Sequence, residues 1–201
     1  MELETAASEG RATAARRFVP RRAIVLVGLM GAGKTRIGRR LAARLDLPFA
    51  DSDIEIETAA GETIEEIFAN RGERVFRDGE RRVIARLLEQ PPHVLATGGG
   101  AFMDPATRAV IGRRGVSVWL RADLDVLVQR VSRRTDRPLL KQGDPRAILA
   151  ELMVRRDPIY AEADLTIDSS DAPPERTVTR TIAALASCPL VFTPPDREEE
   201  P

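Results

Sequence analysis

Apolar residues in this chain fall into short solid runs that alternate with longer stretches of helical spacing. Ala23-Ile24-Val25-Leu26-Val27 is a β-branched run that reads as a strand covered on both faces, and Ile37, Leu41 and Leu45 after it recur on one helix face. Leu47–Ala50, His93–Ala96, Val116–Leu120 and Leu165–Ile167 read as further short strands. Thr63-Ile64-Glu65-Glu66 is a capping box that opens a helix closed by Gly72. A longer helix from about Glu73 to Glu89 is predicted to turn Val75, Val83, Ile84, Leu87 and Leu88 to the core, with Arg77 and Glu80 one turn apart. Asp104-Pro105 opens a helix ending near Gly112 to Gly115, and Asp123 caps one carrying Val126, Leu127 and Arg130. Asp144-Pro145 opens another that runs to about Ala161, and Pro174–Leu185 forms the last. Strands alternating with helices predict an α/β fold, a parallel sheet wrapped on both faces, with no internal repeat. The folded unit is expected over 22–187, with a disordered extension over 1–21 and a disordered tail over 188–201.

Between the first strand and its helix stands Gly28-Leu29-Met30-Gly31-Ala32-Gly33-Lys34-Thr35, which fits the phosphate-loop pattern G-x-x-x-x-G-K-[ST] at every fixed position. Glycines let the backbone turn its N–H groups onto phosphate oxygens, and the helix points its positive dipole end at the same anion. Lys34 is expected to reach the β and γ phosphates of a nucleoside triphosphate and Thr35 to ligate magnesium. Composition adds weight, because Lys34 and Lys141 are the only lysines among 31 basic residues. An arginine-biased chain has kept lysine where a phosphate loop needs a compact point charge.

The 31 acidic residues cancel the basic ones, so no broad attraction to nucleic acid or a membrane surface is expected. Cys188 has no partner for an internal disulfide and no sign of activation, and His93, after Pro91-Pro92, reads as a turn or surface residue rather than a metal ligand. No apolar run reaches membrane-spanning length and no signal-peptide core is seen, so the chain reads as a cytoplasmic protein.

Asp51-Ser52-Asp53 falls at the C-terminal end of the second strand, where ligands bind in open α/β sheets. Asp51 and Asp53 are read as taking different jobs, one towards magnesium and the other towards an acceptor. No D-x-x-G or N-K-x-D occurs, which removes the elements of a regulatory GTPase. Gly98-Gly99-Gly100 at another strand end implies close approach to the backbone or a nest of N–H groups. The basic, weakly apolar stretch from Ser132 to Gly143 reads as a mobile flap. Arg77, Arg137 and Arg156 do not stand out individually in so arginine-rich a chain.

Taken together, Gly28 to Thr35, Asp51-Ser52-Asp53, Phe76-Arg77-Asp78-Gly79-Glu80, Thr97 to Gly100, Arg137-Pro138-Leu139-Leu140 and Arg156-Asp157-Pro158-Ile159-Tyr160 closely resemble the shikimate kinases. The resemblance runs from about Arg22 to Leu185. It implies a nucleoside-monophosphate-kinase-like fold, a five-stranded parallel sheet in order 2-3-1-4-5 with a mobile lid, and ATP-dependent phosphorylation of the 3-hydroxyl of shikimate in aromatic amino acid biosynthesis. It further implies ATP contacts from Gly31, Ala32, Gly33, Lys34, Thr35, Arg36, Arg130 and Arg137, with Arg130 on the adenine and Arg137 on the transferring phosphate. Asp53 is implied at the shikimate hydroxyls, Arg77 and Arg156 at its carboxylate, and Gly98, Gly99 and Gly100 as the wall of that pocket. Asp51 would hold Mg2+ through water beside Thr35, Glu80 would orient the substrate arginines, and Lys34, Asp53 and Arg137 would be catalytic. A monomer using only ATP and shikimate is implied. One departure stands out: most members place a second hydroxyl residue after the phosphate-loop Ser or Thr, and this chain has Arg36. A gluconate kinase would share the loop and fold, and a non-enzymatic nucleotide switch would bind nucleotide without shikimate-stimulated turnover.

Overall fold

A computed structural model describes residues 20–132, 143–169 and 172–192. Most of the predicted flap, with Arg137 and Lys141, lies outside the described residues, as do residues 1–19 and 193–201. Strands β1 (Ala23–Val27), β2 (Phe49–Asp51), β3 (Val94–Ala96), β4 (Gly115–Arg121) and β5 (Leu165–Asp168) form one parallel sheet in the order β2-β3-β1-β4-β5. That is the predicted order. Every residue of β1 is buried, as its continuous apolar run requires for a central strand flanked by β3 and β4.

The helices are α1 (Lys34–Leu45), α2 (Ser52–Ala60), α3 (Ile64–Leu88), α4 (Pro105–Arg114), α5 (Leu124–Ser132), α6 (Pro145–Tyr160) and α7 (Pro174–Ala186). The capping box at α3 forms as read: Thr63 N donates to Glu66 Oε2 at 2.8 Å, and Glu66 N donates to Thr63 Oγ1 at 3.2 Å. Gly72 breaks α3 with φ 82° and ψ 166°, so its two halves run as separate helices across a kink. Asp104 and Asp144 cap α4 and α6 through Ala106 N and Arg146 N, each followed by proline. Among the described residues, no helix is long and apolar enough to cross a membrane.

Several sequence expectations are corrected. The second strand begins at Phe49 rather than Leu47, and Asp53 stands in the first turn of α2, a helix that the apolar pattern did not announce. Val75 is exposed, and its neighbour Phe76 is buried in its place. His93 is buried at the entrance to β3, where its carbonyl accepts from Ile24 N at 2.8 Å and so extends the sheet pairing. Residues Pro189–Phe192 form a 3-10 turn whose buried Val191 accepts from Arg21 N at 2.8 Å. The folded unit therefore includes Arg21 and residues 188–192, which the sequence reading placed in the extension and tail.

Candidate active site

The predicted site residues that the structure describes gather at the C-terminal edge of the sheet, because the segments after β1, β2 and β3 all leave from that edge. Gly31 and Gly33 hold φ of 84° and 97°, a left-handed turn that brings the loop directly into α1. Lys34, 9% exposed, folds its ammonium back over the loop and donates to the carbonyls of Gly28 at 2.7 Å and Leu29 at 3.0 Å. Thr35 Oγ1 donates to Asp51 Oδ2 at 2.8 Å, while Asp51 Oδ1 accepts from Asp53 N at 3.1 Å. A hydroxyl and a carboxylate set side by side at the loop exit are hard oxygen donors of the kind magnesium accepts.

Arg130, on α5, braces the loop from outside. Its Nη1 donates to Gly31 O, Ala32 O and Ser169 Oγ at 3.3, 3.4 and 3.1 Å, and Ser169 Oγ donates to Ala32 O at 2.8 Å. Ser169 is a buried contact that sequence reasoning missed; its position directly after β5 was the available signal. Arg36 is exposed on the first turn of α1.

Across from the loop, the three glycines meet three different groups. A Cβ on Gly98 would lie 2.8 Å from both Asp53 Oδ1 and Glu80 Oε1. One on Gly99 would lie 3.5 Å from Met30 N of the phosphate loop and 3.9 Å from Arg156 Nη1. One on Gly100 would lie 2.5 Å from Arg77 Nη1. Bare backbone at Gly98 and Gly100 thus admits two carboxylates and one guanidinium, while Gly99 sits at ordinary contact distance from the phosphate loop and Arg156. Buried Ser52, unremarked in the sequence, fixes the segment's start by accepting from Gly98 N at 3.1 Å.

Arg77 and Glu80 share a face of α3 and pair at 2.6 Å, with Glu73 taking Arg77 Nη2 at 3.3 Å. Burial opposes the charge on Arg77, but Glu80 and Glu73 outweigh it and raise its pKa above the ordinary guanidinium value. Glu80 is 3% exposed, and burial lifts its carboxyl above the ordinary range against the pull of Arg77, with Asp53 adding to the lift. Its Oε1 has no hydrogen-bond partner within the protein and faces the Gly98 side. Arg156, half-buried on α6, donates from Nη1 to Gly99 O at 3.1 Å, whereas its neighbour Arg155 is exposed and pairs with Glu151. A cavity of about 300 Å3 between α2 and α3 is lined by Ile56, Ile67, Phe76 and Val83 and by none of Asp53, Arg77, Glu80 and Arg156.

A phosphate loop at the central strand of a 2-3-1-4-5 sheet, facing a walled cluster of arginines and carboxylates, defines a phosphate-loop small-molecule kinase. The chain belongs to the shikimate kinase family, whose model matches residues 30–186. It is 62% identical over 164 residues to a shikimate kinase of Paramagnetospirillum magneticum, covering 82% of this chain and 84% of that one. Among solved structures it resembles a shikimate kinase from Acinetobacter baumannii in complex with shikimate, with a TM-score of 0.81, 39% identity and coverage of 87% of this chain and 97% of that one. A gluconokinase from Sinorhizobium meliloti, at 20% identity and a TM-score of 0.55 over 86% of this chain and 94% of that one, shares the fold alone.

Proposed function

We propose that this chain transfers the γ-phosphoryl group of ATP to the 3-hydroxyl of shikimate, giving shikimate 3-phosphate and ADP, as a cytoplasmic monomer. The observation that carries the reading is the convergence on Gly98-Gly99-Gly100 of Asp53, Glu80, Arg77 and Arg156 beside the phosphate loop. A small acid bearing hydroxyls needs cations for its carboxylate and acceptors for its hydroxyls, and both stand on this one wall.

In this reading Gly31, Ala32, Gly33 and Lys34 bind the phosphates through backbone N–H groups and the ammonium. Lys34 Nζ leaves its two loop carbonyls for the β and γ oxygens. Arg36 lies in the first turn of α1, and Arg130 backs the loop where the base would lie. Thr35 and Asp51 would hold Mg2+, Asp51 through water; when bound, the metal neutralises charge on the phosphates. Arg77 and Arg156 take the shikimate carboxylate, and Asp53 accepts the hydrogen bond of the attacking hydroxyl and orients it in line. The oxygen–phosphorus bond forms as the bond to ADP breaks, and the hydroxyl proton leaves towards Asp53. Arg137, outside the described residues, retains the role implied by the family, on the transferring phosphate.

Coupled ADP release with purified protein, ATP and magnesium tests this directly. Turnover is expected to depend on shikimate and to be absent with gluconate. ADP release at equal rates with and without shikimate overturns the proposal, and turnover on gluconate in place of shikimate favours the sugar-acid kinase.

A further inference from the structure

Tyr160 ends α6 with its side chain at 0% exposure, between Trp119 of β4 at 5.9 Å and Phe102 at 6.4 Å, both rings roughly parallel to its own. Phenylalanine would fill that slot equally well, so packing does not account for the hydroxyl. The hydroxyl donates to the carbonyl of Gly99, the same oxygen that accepts Arg156 Nη1 at 3.1 Å. Arg156 and Tyr160 lie one helical turn apart, so the two donors fill both lone pairs of one carbonyl from one helix face. Gly99 also abuts the phosphate loop, with Met30 N 3.5 Å and Gly28 O 3.7 Å from where its Cβ would be.

We infer that Tyr160 is a positioning residue: its hydroxyl fixes the Gly99 carbonyl, and that carbonyl sets the guanidinium of Arg156 for the substrate carboxylate. The inference rests on the proposed function. Burial pushes the phenol up to about 12, against the pull of Arg156, so it keeps its proton and remains a donor at neutral pH. Arg156 donates to Gly99 O from Nη1 and lies against the Tyr160 hydroxyl, so the tyrosine holds the guanidinium both directly and through the carbonyl. Without the hydroxyl, the glycine carbonyl is held from one side only, and the guanidinium loses its fixed point.

The test is Tyr160→Phe, which keeps the ring between Trp119 and Phe102. The KM for shikimate is expected to rise about fivefold, the loss of one buried hydrogen bond, with kcat and the KM for ATP within about twofold of wild type. On an Arg156→Ala background the same change should add nothing, because both substitutions remove one interaction. Acid and methyl ester of shikimate should separate the roles further: the affinity difference between wild type and variant disappears with the ester. An unchanged shikimate KM with a lowered melting temperature overturns the inference alone, as does an equal rise on the Arg156→Ala background. No shikimate turnover by the wild type overturns the proposed function and the inference with it.

Discussion

The two halves of the site are built in opposite ways. The proposed nucleotide half is one contiguous loop, with Lys34 donating to the loop's own carbonyls. The proposed acceptor half is assembled from α2, α3, the glycine segment after β3 and α6, with side chains held by one another or by the glycine backbone: Arg77 by Glu80, Arg156 by the Gly99 carbonyl, and Ser52 on Gly98 N. A backbone cradle depends on one charge and on local turn geometry. A side-chain cradle depends on long-range packing and on titratable partners, so the two should fail differently.

The sharpest break is expected in the loop. Lys34→Ala should lower kcat by at least about a hundredfold, as the loss of a charged transition-state contact does, and leave the fold intact by circular dichroism. Unchanged kcat would contradict the loop's assigned chemistry. Lys34→Arg should also be poor, since the ammonium fits between two carbonyls 2.7 and 3.0 Å away and a forked guanidinium is larger.

The acceptor half should lose affinity rather than chemistry. Arg77→Lys keeps a charge but loses the planar fork now shared between Glu80 and Glu73, and shikimate affinity measured by calorimetry should fall roughly ten- to a hundredfold. Shikimate methyl ester should bind wild type poorly and lose little more in Arg77→Ala. Additive losses would remove Arg77 from the carboxylate.

The smallest effect sharpens the contrast through pH. Burial raises the Glu80 carboxyl in the fold above its free value of 4.5, so the folded state holds that proton more tightly than the unfolded one. The stability that this group contributes is present below its free value and is lost as pH rises through the raised one. Wild type should therefore lose melting temperature relative to Glu80→Gln over that interval and run parallel to it above. A constant difference from pH 4.5 to 8 would show that Glu80 does not titrate as its burial demands.

What could be read from the sequence follows the same division. The contiguous loop and the caps at Thr63, Asp104 and Asp144 are local patterns, and each appears as expected, whereas the strand order, a long-range property, came only with the family resemblance. Helix α2 was hidden because Ile54 and Ile56 alternate with acidic residues like a strand; Ile56 is buried while Ile54 remains exposed. Val75 was misplaced because the buried stripe runs through Phe76, Glu80, Val83, Ile84 and Leu87, and the charged Glu80 within it hides the stripe from the apolar pattern. The prolines before His93 suggested an exposed turn, but its carbonyl joins the sheet and draws the ring inside. The family resemblance chose Arg156 over Arg155 from the spacing of a motif; the physical distinction, one half-buried and the other on Glu151, needs the packed helix. Ser52 and Tyr160 stood inside the motifs of the resemblance without a role of their own, and Ser169 directly after β5; each acts on atoms of a distant segment, so its role needs the fold.

The glycine segment also limits how this protein can change over generations. A methyl group at Gly98 would strike two carboxylates at 2.8 Å, and one at Gly100 would strike a guanidinium at 2.5 Å. Even the smallest side chain there displaces a group that the site uses. An inhibitor that recognises the bare backbone of these residues would therefore be hard to escape by mutation, because a side chain that spoils its contact with this wall also displaces Asp53, Glu80 or Arg77.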